Sequence, residues 1–190
     1  MAFTPRLDGL GILNNFHWYS TNNPYYPNYG MPNCTCYAWG RFWEIGDPLG
    51  TGANKPDPNA LPGGWSGGYW WREVDTSVYQ TGQTPELGAV ICFWDSQGDG
   101  HVAIVEEIIN GGESIVTSNS AWQSTFFYTQ TLYRSNNYCW TGSNGHFYQF
   151  QGFIYNPYVT PTPPTPTQSR KKFPWVLYAR KFRGRSVNKM

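Results

Sequence analysis

From Pro85 onward the chain is a succession of short strand-like runs, and this pattern limits the fold more than any other feature. "GAVICFW" (Gly88–Trp94) is apolar throughout, and "HVAIVEEII" (His101–Ile109) follows after a polar gap. "NGG" at Asn110–Gly112 is a hairpin signal, and "SIVTSNSAW" (Ser114–Trp122) returns from it. "TFFYTQTLY" and "GFIYNP" add further runs bounded by turn residues. Short strands in succession, joined by tight turns, predict an antiparallel sheet.

Ahead of the strands lies one stretch with the marks of a real helix, "PNCTCYAWGRFWEIG" (Pro32–Gly46). Asn33 is the expected N-cap, because its side-chain oxygen can accept from a backbone N–H that the first turn leaves unpaired. Tyr37, Ala38, Phe42 and Ile45 share one face, and Gly46 is the expected stop. Residues 47–68 are rich in Gly, Pro and Asn and read as loop, and "GYWWREV" reads as a short second helix. Helices followed by antiparallel strands predict an α+β fold with N-terminal helices packed on the sheet. With ten Trp, fourteen Tyr and eleven Phe, the aromatic content exceeds ordinary needs. Most of these rings should pack the core, leaving some for a groove that binds sugar or peptide.

The chain divides by composition into a body (1–157), a Pro/Thr-rich linker "YVTPTPPTPTQS" (158–169) and a tail (170–190). The prolines favour an extended, polyproline-like linker. The tail "RKKFPWVLYARKFRGRSVNKM" carries eight basic residues and no acid, whereas the body holds five basic and twelve acidic residues, a net charge of −7. Aromatic and cationic residues alternate along the tail. That mixture suits an anionic polymer, a membrane surface or an acidic protein. Nucleic acid is not expected as a partner, since no nucleic-acid-binding motif accompanies the charge.

The two cysteines of "PNCTCYAWGR" raise three readings. As metal ligands with His101 they form an incomplete set, and the C-x-C spacing alone is a weak zinc signal. As half of a disulfide framework they conflict with the N-terminus "MAFTPRLDGLGILNNFHW", which has no signal-peptide pattern and so predicts synthesis in a reducing cytoplasm. The third reading makes Cys34 a nucleophile. At the first position of its helix, Cys34 meets the positive end of the helix dipole, which is expected to lower the thiol pKa. Cys36 lies about 200° further round the helix and so points elsewhere. His101, directly after Gly100 at the mouth of a strand, is the candidate general base. His17 and His146 lack such framing.

A third group should orient the imidazole, and Asn119 on the returning strand is the candidate. A three-residue loop would pair His101 with Ala121 and put Asn119 on the same face as His101. A two-residue loop would turn Asn119 to the opposite face. The role of Asn119 therefore predicts an odd-length loop or a bulge.

With these residues in view, the sequence resembles the CHAP family of cysteine- and histidine-dependent amidohydrolases and peptidases. The segments that carry the resemblance are "NCTCYAWGRFWE", "PELGAVICFW", "GHVAIVEEI", "IVTSNSAW" and "GFIYNP", in that order. The resemblance implies a papain-like fold, with Cys34 as nucleophile, His101 as base and Asn119 as the third catalytic residue, where many members have Glu. An amide there can fix the tautomer but supplies no charge. Some members bind calcium through an acidic loop before the nucleophile. Here "YSTNNPYYPNYGMP" has no acid, so no metal or other cofactor is expected. The implied activity is hydrolysis of an amide bond in bacterial peptidoglycan, either N-acetylmuramoyl–L-alanine or a bond of the stem or cross-bridge. Trp39, Trp94 and Trp122 flank the motif segments and are expected to line the substrate groove.

A compact chain of this kind without a leader resembles a bacteriophage lysin. It would act either from the host cytoplasm at lysis or from the virion tail on entry. The alternative is a non-catalytic wall-binding or tail protein that keeps the fold.

Overall fold

The computed structural model describes residues 3–12, 17–51, 61 and 66–159. The linker and the basic tail therefore lie outside the described residues, apart from Tyr158 and Val159.

A π-helical turn, His17–Thr21, and a short helix α1 (Tyr26–Tyr29) lead into α2 (Cys34–Gly46). A 3-10 turn at Gly67–Tyr69 and α3 (Trp70–Glu73) follow. The strands are β1 (Thr81–Gly82), β2 (Val90–Asp95), β3 (His101–Ile109), β4 (Ser114–Asn119), β5 (Tyr128–Tyr133), β6 (Trp140–Thr141) and β7 (Phe147–Ile154). They form one antiparallel sheet in the order β1-β7-β2-β3-β4-β5, with β6 also on β7. The α+β fold with helices packed on an antiparallel sheet is the one expected.

α2 forms where its sequence predicts. Asn33 is extended (φ −163°, ψ 138°), and its side-chain oxygen accepts from the Cys36 backbone N–H, so it caps the first turn. Tyr37, Ala38 and Phe42 of the helix share one buried core with Val90, Cys92, Val102 and Ile104 of the sheet. The opposite sheet face buries Ile91, Phe93, Ala103 and Val105 beneath Leu132, Tyr138 and Phe150. Alternate residues of β2 and β3 thus serve two cores, which explains why both strands read as continuous apolar runs rather than alternating ones. Removing one such side chain as large as Phe42 from water stabilises the fold by about 1.5–3 kcal/mol.

The β3–β4 hairpin departs from the expected loop. Ile109 pairs with Ser114, so the connection is the four residues Asn110–Glu113 rather than three. A straight ladder from that turn would put Asn119 on the α2 face. The ladder is not straight: Glu107 pairs with Val116 but Val105 pairs with Thr117, which leaves Glu106 as an extra residue in a bulge. The bulge reverses the parity of β3 below it and restores the face relationship that a three-residue loop would have produced.

Candidate active site

Three chain segments converge at one end of the sheet: the first turn of α2, the head of β3 and the end of β4. Direct bonds stitch them together. The Asn33 backbone N–H donates to Ser120 Oγ at 3.1 Å, which ties the start of α2 to the chain just beyond β4. The head of β3 is set by a glycine contact. Gly100 has φ +62°, a conformation that favours glycine, and its α-carbon packs against that of Gly68. Gly68 N–H donates to Asp99 O at 3.1 Å, and a side chain at Gly67 would strike the backbone of His101 and Val102. The loop before α3 is thus a backbone wedge that fixes His101.

Cys34 and His101 line one open cavity of about 780 Å³. Cys34 is half-buried at the first position of α2. Burial pushes its thiol up to about 11, against the backbone N–H groups of Val102, Thr35 and Cys34, which favour the thiolate. The expected lowering by the helix end is therefore outweighed by desolvation, and the resting group is a thiol. The same N–H groups converge where the sulfur sits, a polarity that also suits an oxyanion.

The His101 imidazole is 6 % exposed. It stacks on Phe93 (centroids 6.3 Å apart) and meets Trp140 and Tyr148 edge-on at 5.7 and 5.9 Å. Burial lowers its pKa to about 4, against the hydrogen bond with Asn119, which raises it. A neutral imidazole and a neutral thiol on one cavity are thus the resting pair near pH 7.

His101 Nε2 lies 3.0 Å from Asn119 Oδ1. The amide orientation follows from its other partners. Asn119 Nδ2 donates to the carbonyl oxygen of Thr117 at 3.1 Å and to Thr117 Oγ1 at 3.0 Å. A carbonyl only accepts, so the NH₂ faces Thr117 and the oxygen faces His101. The imidazole therefore carries its proton on Nε2 and keeps the Nδ1 lone pair free as a base.

The second cysteine lies away from the cavity lining. Cys36 is fully buried, with its sulfur 3.7 Å from Tyr19 O, so Cys34, Cys36 and His101 do not converge as a ligand set. All four cysteines are free thiols. Asn33 Oδ1 accepts from both Cys36 N–H and Thr35 Oγ1, which is capping duty.

The three expected groove tryptophans separate. Trp122 lines the cavity and is 58 % exposed. Trp39 does not reach it. At 1 % exposure it packs in the core between Trp18 and Trp43, because the His17–Thr21 turn covers the outer side of α2. Trp94 is also absent from the lining; its ring carries the Arg72 guanidinium at 4.4 Å and meets Tyr69. The aromatic wall comes instead from Trp140 and Tyr148, stacked 4.2 Å apart on β6 and β7, with Tyr128 from β5. His146 lines the cavity as well, with Nδ1 2.8 Å from the fully buried Asp95 carboxylate. Sequence reasoning missed these residues. Their only signal is that Trp140 and Tyr148 are register partners, which the sequence alone does not show. His17 faces Asn22 instead.

The family model described as "CHAP domain" matches residues 22–121. No curated protein and no solved structure matches the chain. The matched stretch contains α2 and β2 to β4, and hence Cys34, His101 and Asn119, while the Trp140–Tyr148 wall and His146 lie outside it. Domains of this family are cysteine- and histidine-dependent amidohydrolases that act on peptidoglycan. The match covers over half of the 190 residues, and the chain belongs to the CHAP domain family.

Proposed function

We propose that the chain is a bacteriophage lysin that cuts an amide bond of peptidoglycan by nucleophilic catalysis. The observation that supports the catalytic part of this reading is the joint placement of Cys34 and His101 on one cavity, with Asn119 bonded to the imidazole. His101 Nδ1 takes the thiol proton as Cys34 sulfur attacks the carbonyl carbon. The tetrahedral oxyanion is met by backbone N–H groups at the start of α2, and the imidazolium returns the proton to the leaving amine. Water, activated by the same imidazole, then releases the acyl group from the thioester. The amide of Asn119 holds the imidazole in place through this cycle.

The scissile bond is either N-acetylmuramoyl–L-alanine or a peptide bond of the stem or cross-bridge. The lysin works either from the host cytoplasm at lysis or from the virion tail, with the basic tail held to an anionic wall polymer, the membrane surface or a virion protein. The test is digestion of purified peptidoglycan by the full chain and by Cys34→Ala, followed by mass spectrometry of the muropeptides. A new free L-alanine N-terminus identifies an amidase, and an opened stem or bridge identifies an endopeptidase. Equal clearing by wild type and Cys34→Ala would overturn the cysteine mechanism and favour a wall-binding role.

A further inference from the structure

Behind the catalytic end of the sheet lies a buried cluster of charges that the reaction does not touch. Glu106 is fully buried. Its carboxylate accepts from Arg41 Nε (2.9 Å) and Nη2 (3.0 Å), from Ser118 Oγ (2.7 Å) and from the Arg6 backbone N–H (2.8 Å). Arg41 and Arg6 also bond Glu44, so two guanidinium groups balance two carboxylates.

Glu106 is also the bulge residue of β3. Above the bulge, Ile109–Ser114, Ile108–Ile115 and Glu107–Val116 follow the register set by the turn. Below it, Val105–Thr117 and Ile104–Ser118 follow the shifted one. If the ladder continued straight from the turn, Asn119 would oppose Ile104 and face α2, away from His101. The hairpin thus has two registers available, and only the bulged one brings Asn119 to His101. Nothing in the turn selects it. The side-chain bonds at the bulge come from elsewhere: α2 through Arg41, the N-terminal segment through the Arg6 backbone, and β4 through Ser118, the residue next to Asn119. Buried ion pairs add little net stability compared with apolar packing, and a well-attested use of them is to fix register.

We propose that Glu106 is a positioning residue for the reaction: anchored by Arg41 and Ser118, it locks the β3 bulge and thereby holds Asn119 against His101. This inference rests on the reading of His101 and Asn119 given above. It makes the Glu106 carboxylate a determinant of imidazole geometry through the register of β4, although it contacts neither substrate nor His101. Glu106→Gln would present an NH₂ to donors that now meet an oxygen, which weakens the anchor with little change in volume.

The test is a double-mutant cycle in the full chain, with Glu106→Gln and Asn119→Ala alone and together, read as kcat on peptidoglycan and as the ¹⁵N signals of the His101 ring. Glu106→Gln is expected to lower kcat on the order of 10- to 100-fold with KM little changed. It is expected to have no further effect in the Asn119→Ala background, and to turn the Nε2–H tautomer into a mixture as Asn119→Ala does. Ser118→Ala, which keeps the Arg41–Glu106 pair, replaces Glu106→Gln in the same cycle if the latter does not fold, and should act in the same direction. Losses in kcat that multiply, or ring signals that match wild type, would overturn the proposal. The ring signals need no turnover. An inactive wild type would therefore sink the proposed function, while the ring signals would still decide for or against the register lock.

Discussion

His101 Nε2 meets Asn119 Oδ1 at 3.0 Å across a hairpin whose turn, taken alone, would point the two side chains to opposite faces. The contact joins a base to an amide with no charge to offer. In the proposed mechanism Asn119 therefore acts by orientation: its oxygen accepts from Nε2–H, the tautomer that leaves Nδ1 free. Asn119→Ala is expected to lower kcat on the order of 10²-fold, the size of a small misplacement of a reacting group, with folding stability less affected than kcat. Steady-state rates on soluble muropeptides, beside thermal unfolding, check this. Wild-type kcat in the variant would remove Asn119 from the mechanism.

The pH dependence follows from the burial of His101 and Cys34. The imidazole pKa lies at about 4, below the 6.5 of an ordinary histidine. A base must be unprotonated, so kcat/KM should hold through pH 5.5 and fall only as the pH approaches 4. Asn119→Asp places a carboxylate against the imidazole, favours its charged form and moves the acid limb up toward neutrality. An acid limb near 6.5 in the wild-type profile would contradict this. Cys34 reports the same electrostatics from the other side: with the thiol at about 11, its alkylation by iodoacetamide should keep rising past pH 9. A rate already level at neutral pH would indicate a preformed thiolate–imidazolium pair.

The two cysteines should differ sharply when replaced. Cys34→Ser is expected to abolish lysis, because a hydroxyl lacks the nucleophilicity of sulfur. Cys36→Ser removes a buried sulfur that donates to Tyr19 O, and should keep most of the activity at a stability cost of about 1 kcal/mol. Turbidity clearing of cell walls separates them, and equal loss in both would reopen a shared role.

What could be read from the chain divides along physical lines. α2 was legible because its N-cap, its buried face and its stop are all local. Cys34 and His101 were legible because each sits at the end of an element whose boundaries those local signals define. The hairpin register was not legible, since it depends on Glu106 meeting Arg41, 65 residues away. Trp39 looked available because a helix normally keeps one face wet, yet the His17–Thr21 turn buries that face. The Trp140–Tyr148 wall was hidden because β6 is two residues long and gains meaning only through its pairing with β7.

The boundary of the body bears on the basic tail. The described chain stays packed past residue 157: Tyr158 lies over Gly46, where a side chain would strike its ring, and its N–H donates to Asn156 Oδ1 at 3.0 Å. A truncation that tests the tail should therefore stop after Val159. That variant is expected to keep its rate on soluble muropeptides and to lose binding to intact walls in a salt-dependent manner, as attraction between exposed opposite charges requires. Co-sedimentation with walls at low and high salt measures it, and unchanged binding would remove the tail from wall recognition.

Replacing Trp122 and Trp39 separates groove from core. Trp122 is exposed on the cavity rim and supports little of the fold. Trp122→Ala should raise KM several-fold, with kcat and thermal stability near wild type. Trp39 packs against Trp18 and Trp43 at 1 % exposure, so Trp39→Ala leaves a large void and should cost about 3–5 kcal/mol. Chemical denaturation alongside steady-state kinetics distinguishes the two. A stability loss in Trp122→Ala as large as that in Trp39→Ala would mean that the rim tryptophan holds the fold rather than the substrate.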